Sequence, residues 1–256
     1  MEYRSESKAP PRRRFALLRE VGLLGLLYVG YTIGRLFADD DLALARAHAD
    51  FVVGIERQLG IDVEQLFNEV LSGLPVFEVA ASYLYATLHY IVTPVVLVVL
   101  WRKTPEQYAH WRRVLVVGTV IALVCYLLFP TAPPRLVPGF VDTLADTAGF
   151  GWWGGDASAP RGLGTTTNQL AAMPSMHVGW ALWSAWALSS ILRSPGARAL
   201  AWSYPVLITI VIVATANHWI LDAVVGAALI VLAARLVRPW REYEEQHADR
   251  PPVPSA

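Results

Sequence analysis

Apolar positions along this chain gather into long runs separated by short charged stretches. A bilayer-spanning helix takes roughly 17 to 25 mostly apolar residues. Five or six stretches qualify: residues 21–37, 76–100, 114–129, 177–192, 201–215 and 220–237. Several are short singly, but soluble folds do not contain this many. The pattern predicts an all-α polytopic membrane bundle of about six transmembrane helices. Arg12, Arg13 and Arg14 precede the first run, as they would in a signal peptide, but no small-residue cleavage site follows and Arg35 lies near its end. An uncleaved anchor is the expectation.

Residues 42–71 are not a span, because charges interrupt them every few positions. Phe51, Val52, Ile55 and Leu59 recur at helical spacing, as do Val63, Leu66, Phe67 and Val70. Two short amphipathic helices fit, either lying on the outer leaflet or packed on the bundle as a helical hairpin. There is no internal repeat. The expected organisation is a cytoplasmic tail (1–20), a first span with the amphipathic segment (21–75), a catalytic core (76–237) and a polar tail (238–256). From Glu242 onward that tail is Pro-rich and predicted disordered.

Composition agrees with the pattern. Of 256 residues, 55% are hydrophobic and 16% charged, against about 25% charged in an ordinary soluble domain. Disorder of the whole chain is excluded, since it needs low hydrophobicity. Lys+Arg 21 balance Asp+Glu 21, so no basic excess exists to meet a nucleic acid. Cys125, the single cysteine, rules out a disulfide framework and a Cys-rich metal site.

Charge distribution says more than its sum. The N-terminal segment (Arg4, Lys8, Arg12, Arg13, Arg14), the loop after the second run (Arg102, Lys103, Arg112, Arg113), the loop after the fourth (Arg193, Arg198) and the C-terminal end (Arg238, Arg241, Arg250) fall on one side of a six-span protein. The other side carries Asp39, Asp40, Asp41, Asp50, Glu56, Asp62, Glu64 and Glu69, and a long Pro- and Gly-rich loop from Pro130 to Ala172 with only Arg135 and Arg161 basic. Basic loops stay inside. A multi-pass protein of the cell membrane with both termini cytoplasmic is predicted. Trp101, Trp111, Trp202 and Trp240 near the inner ends, and Trp152, Trp153 and Trp219 near the outer ends, form the expected aromatic belts.

Ionisable residues in or beside spans are functional candidates. His48, His110 and His247 fall in surface segments, which leaves His89, His177 and His218. His218 and Asp222, four apart, share one face at the outer end of the sixth span, with Asn217 a candidate N-cap. His177 follows Pro174-Ser175-Met176 at the outer start of the fourth, with Ser175 a candidate cap. N–H groups at such a start favour an anion. Two histidines and a carboxylate admit a Zn or Fe site, or covalent phosphoryl transfer with histidine as nucleophile. Arg135, in Pro130-Thr-Ala-Pro-Pro-Arg135 on the same side, suits phosphate and argues against a metal. His89, well inside the second span, is a second-tier candidate with Asn217.

Pro174-Ser175-Met176-His177 followed by His218-x3-Asp222 resembles the second and third motifs of the type 2 phosphatidic acid phosphatase superfamily, over roughly residues 76–237. Met176 replaces the usual Gly, Val211 and Ile212 stand where Ser-Arg is usual, and the first, Lys- and Arg-bearing motif is absent. Leu128 occupies its Lys position if Arg135 takes its Arg. This reduced set is similar to the inositol phosphorylceramide synthase (inositolphosphotransferase) branch. So are Phe129-Pro-Thr-Ala-Pro-Pro-Arg135, the His89-Tyr90 element and Asn217-His218-Trp219-Ile220-Leu221-Asp222.

The resemblance implies an outer-face enzyme acting on a membrane lipid. His218 would attack phosphorus, Asp222 orient it, and His177 serve as acid and then base. Arg135 and the N–H groups around Ser175 and Met176 would hold the phosphate, with no metal and no cofactor. Water as acceptor makes it a phosphatase; inositol or another alcohol makes it a phosphotransferase. The Phe150-Gly-Trp-Trp-Gly-Gly155 stretch and the amphipathic segment would either exclude water or merely pack at the membrane surface. The competing class is a transporter or assembly partner, which would place paired charges or broken helices at the midplane. Apart from His89, Pro94 and Pro205, the spans offer little of that.

Overall fold

The computed structural model describes residues 41–154 and 168–237, together with Gly22 and Gly25, both helical. Apart from those two glycines, the first apolar run and both tails lie outside the described residues. So do Arg161 and Gly155. The described part is all-α: α1 Leu42–Leu59, α2 Glu64–Ser72, α3 Pro75–Lys103, α4 Pro105–Leu128, a 3₁₀ turn Pro134–Leu136, α5 Thr143–Asp146, α6 Met176–Ser189, α7 Pro195–Ala214 and α8 Ile220–Leu236. Local chemistry sets many of the boundaries. Pro75, Pro105 and Pro195 open α3, α4 and α7, where a missing N–H costs nothing. Asp41 caps α1 by accepting from the N–H groups of Ala43 and Leu44, and Gly60, at φ 69°, ends it.

Three of these helices, α3, α4 and α7, are long and apolar enough to cross a membrane. The fourth and sixth predicted spans form α6 and α8, apolar but only 14 and 17 residues long. Outward-facing Ile91, Val95, Val206, Ile210, Val224 and Leu232 give the bundle the apolar exterior that lipid requires. Inside, α6 packs against α3, α4, α7 and α8. Val96, Leu100, Trp111, Trp183, Leu229 and Ile230 form one core region, and Tyr85, Leu144, Trp153, Val178, Ile208 and Ile212 another. With no hydrophobic drive between helices in lipid, close backbone approach matters. A Cβ on Gly118 would stand 2.8 Å from Ile230 Cδ1, so the glycine lets α4 and α8 touch.

Both amphipathic helices form. Phe51, Leu59, Leu66, Phe67 and Val70 face outward, while Glu56, Glu64 and Asn68 are buried with Ala45, Ala49 and Val52. The polar residues turn inward because backbone groups there need partners. Asn68 Nδ2 donates to the carbonyls of Val141 and Ala214, and its Oδ1 accepts from the Val141 N–H. The hairpin thus packs on the bundle through its polar side and turns its apolar side outward.

Candidate active site

The site end of the bundle collects the ends of α4 and α7 and the starts of α6 and α8. His177 is the second residue of α6, and His218 precedes α8 by two residues. Their helices are joined backbone to backbone, since the Ser175 N–H donates to the Asp222 carbonyl at 2.8 Å. This approach needs Gly226, where an added Cβ would lie 2.1 Å from the Ser175 carbonyl oxygen.

His218 is buried and held from three sides. Nδ1 lies 2.9 Å from the Ala172 carbonyl oxygen and 3.4 Å from Asp222 Oδ2. A carbonyl only accepts, so Nδ1 carries the proton and Nε2 presents its lone pair. Nε2 in turn faces His177 Nδ1 at 3.3 Å, so His177 donates from Nδ1. Asp222 and His177 sit on opposite edges of the His218 ring. The three form a line, not a cage converging on one point, and among the described residues no cluster of three or more His, Cys, Asp and Glu has the arrangement of a metal site. The line suits proton handling and nucleophilic attack.

Four buried polar atoms in and beside this line have no hydrogen-bond partner: His177 Nε2, Ser175 Oγ, Asp222 Oδ1 and Glu56 Oε2. Orphans of this kind are rare in native interiors and each calls for an explanation. Tyr85 stacks on the His177 ring, centroids 4.4 Å apart. His89 meets the same ring edge-on at 4.5 Å and donates from Nδ1 to the Tyr85 carbonyl. The second-tier histidine therefore lines the site, on α3.

Arg135 is anchored beside His218. Its Nε donates to Asn217 Oδ1 at 3.1 Å, its Nη1 to Asp142 Oδ2 at 3.4 Å, and its backbone N–H to the Ala216 carbonyl. Ala216 adopts φ 54°, the left-handed region that a side chain disfavours. That turn aims one carbonyl at Arg135 and lets the next two residues carry Asn217 and His218. Val211 and Ile212 lie in the apolar core, so the cation beside His218 is Arg135, from the turn after α4. Arg112 and Arg113 stand at the far end of α4.

Two capping assignments change. Trp219, not Asn217, is the N-cap of α8. Its own N–H donates to Asp222 Oδ2 at 2.8 Å, while Asn217 turns back to Thr215 and Arg135. Ser175 occupies the N-cap position of α6 without a side-chain cap bond. Its N–H is committed to Asp222, so what Ser175 can offer a ligand is its hydroxyl. Of the Trp pair, Trp153 is buried beside Tyr83 and Leu144, and Trp152 donates to Thr87 Oγ1 on α3.

Sequence reasoning missed the Ala172 carbonyl, Tyr85, Glu56 and Glu64. A backbone carbonyl carries no side-chain signature. An isolated parallel pairing of Thr131 with Ala171 holds it in place. Glu56 and Glu64 read as part of an acidic surface, and only their burial distinguishes them.

The PAP2 superfamily model matches residues 50–236, and the chain belongs to this superfamily. Membership and apolar helices together fit a membrane phosphatase. No curated protein and no solved structure matches the chain.

Proposed function

We propose that the protein is a metal-independent lipid phosphatase or phosphotransferase that works through a phosphohistidine on His218, at the outer membrane face. The observation that supports this most is the 3.3 Å pairing of His218 Nε2 with His177 Nδ1, with the far nitrogen of His218 tied to the Ala172 carbonyl and Asp222. A phosphate entering between the rings breaks that hydrogen bond. The Nε2 lone pair then forms the N–P bond on one side as the P–O bond to the leaving group breaks on the other. His177 enters this step as an imidazolium, protonated at its otherwise unpartnered Nε2 as well, and passes its Nδ1 proton to the departing oxygen, which leaves it neutral. In the second half, His177 takes a proton from the acceptor, whose oxygen displaces His218. Asp222 stabilises the imidazolium that develops in between, and Arg135 and the Ser175 hydroxyl hold equatorial oxygens.

The outer-face assignment rests on charge. Arg102, Lys103, Arg113, Arg193, Arg198 and Arg235 lie at the opposite end of the helices from the site, and Asp41, Asp50, Asp62, Glu69 and Asp142 lie at the site end. Basic residues stay cytoplasmic.

The test uses purified full-length protein with a panel of phospholipids and lipid phosphates, with and without inositol. Released phosphate or headgroup without acceptor means hydrolysis. A new inositol-phosphate lipid means transfer, as in the branch the motifs resemble. Neither product from any donor would favour a transporter or assembly protein instead. Acid-labile, alkali-stable phosphate on His218 is the expected intermediate, and a strong chelator should leave turnover unchanged.

Arg135 gives a second check. Arg135→Ala should lower kcat/KM by about 10²- to 10³-fold, the range for removing one charge-stabilising group. Arg135→Lys keeps the charge but loses the forked geometry held by Asn217 and Asp142, and should raise KM more than it lowers kcat. Steady-state kinetics reads both, and unchanged kcat/KM in the alanine variant would remove Arg135 from the site.

A further inference from the structure

At the start of α8, three successive backbone N–H groups are each met by a different carboxylate. Trp219 donates to Asp222 Oδ2 at 2.8 Å, Ile220 to Glu64 Oε1 at 2.9 Å, and Leu221 to Glu56 Oε1 at 2.7 Å. The first bond is local. The other two bridge 156 and 165 positions along the chain. Helix starts ordinarily leave such groups to water or to a cap. This one is buried, with Glu56 0% and Glu64 2% exposed, so the acceptors must come from the protein.

The hairpin that carries these glutamates grips the neighbouring site segments as well. Arg46 Nε and Nη2 donate to the Leu136 carbonyl, and His48 Nδ1 donates to the Pro130 carbonyl. The Ala132 N–H donates to the Ala45 carbonyl. The loop so held carries Arg135. Asn68 ties α2 to the end of α7.

We propose that Glu56 and Glu64 are positioning residues, and that the α1–α2 hairpin is a clamp whose two carboxylates fix the first turn of α8, and through it His218 and Asp222, in register with His177. This rests on the phosphoryl-transfer reading above. The clamp has a built-in limit at high pH. Burial pushes Glu56 up to about 8; the Leu221 N–H opposes the rise, and the charges of Glu64 and Asp222 add to it. Facing Glu56 are Glu64 on α2 and Asp222 on α8. The loop under α1 contributes Arg135, paired with Asp142, and α1 itself His48 on Pro130. The folded value lies above the ordinary 4.5. Stability from protonated Glu56 is therefore complete below about 4.5 and is lost as pH rises through about 8. A protonated Glu56 still accepts the Leu221 N–H through Oε1, and glutamine can do the same.

The experiment compares Glu56→Gln, Glu56→Ala, Glu64→Gln and Glu64→Ala with wild type, as full-length protein in detergent. It reads amide exchange over residues 218–223, and kcat and KM for a lipid phosphate from about pH 6 to about pH 9.5. Both alanine variants should speed exchange there and lower kcat roughly tenfold to a hundredfold, with KM nearly unchanged. Glu64→Gln should restore both. Glu56→Gln should match wild type near neutral pH and keep its activity above pH 8, where wild type declines. Full kcat and slow exchange in Glu56→Ala would overturn the clamp. So would coincident alkaline limbs for wild type and Glu56→Gln, a comparison that stands even if the alanine variant does not fold. Exchange needs no turnover. A wild type inactive on every lipid phosphate would sink the phosphoryl-transfer reading, while exchange would still judge the clamp.

Discussion

Replacing His218 with alanine should reduce turnover of a lipid phosphate by roughly 10⁴- to 10⁶-fold, the loss expected when a nucleophile acting in concert with its partners is removed. Its Nδ1 is bound to the Ala172 carbonyl at 2.9 Å and shared with Asp222, which leaves Nε2 as the one ring nitrogen with a lone pair. That lone pair points at His177 and at nothing else among the described residues. Arg135, Asn217 and the helix junction do not depend on the imidazole, so the variant should stay folded. The checks are initial rates over a wide enzyme concentration range, the thermal midpoint at a fixed scan rate, and acid-labile phosphate on the chain. A folded His218→Ala protein with rates within tenfold of wild type would show that the nucleophile lies elsewhere.

The second large effect is expected from a residue that carries no side chain. Gly226→Ala puts a Cβ 2.1 Å from the Ser175 carbonyl oxygen and 2.9 Å from its carbon. Relief requires a movement of more than about 1 Å. The obstacle is backbone that is already committed: the Ser175 carbonyl accepts from the Gly179 N–H, and its N–H donates to Asp222. His177 lies two residues beyond Ser175, so the His177–His218 distance changes with the junction. A displacement of 1 Å in a reacting geometry costs about a hundredfold in rate, and overpacking of this kind costs about 1–3 kcal/mol in stability. Gly54→Ala is the matched control. It sits inside α1 with nothing within 4 Å of its added Cβ, and should raise stability by up to about 1 kcal/mol through helix propensity. The thermal midpoints of the two variants should move in opposite directions, and kcat should fall in Gly226→Ala alone. A Gly226→Ala protein with both quantities intact would mean that α6 and α8 are not held as closely as described.

The apolar runs made the class of fold legible. Runs long enough to cross lipid can satisfy their backbone only as helices, so α3, α4, α6, α7 and α8 lie close to where hydrophobicity alone puts them. Helix count was less legible, because a run of apolar residues does not reveal that α6 stops after 14 residues. The triad was legible because His218 and Asp222 lie four apart at the start of one span and His177 opens another on the same side, although His218 precedes α8 and does not share a helix face with Asp222. Its supports were not. Ala172 acts through a carbonyl, and Asn217 serves Arg135 where its residue type suggested a cap. Periodicity marks which face of α1 is apolar. It does not say that the polar face is needed indoors, where the N–H groups of Ile220 and Leu221 need acceptors from outside α8.

The shortness of α6 sets a depth. Fourteen residues rise about 21 Å, against a hydrocarbon core about 30 Å thick. With the chain after Ser189 running out to Arg193 at one surface, the start of α6 falls several ångström short of the other. His177 would then wait below the headgroup plane, and the lipid phosphate would have to be drawn down to it from the side. Any acceptor would have to follow by the same descent and shed much of its hydration on the way. Water and a polyhydric alcohol pay very different dehydration costs, so the length of one helix bears on which of them would reach the proposed phosphohistidine.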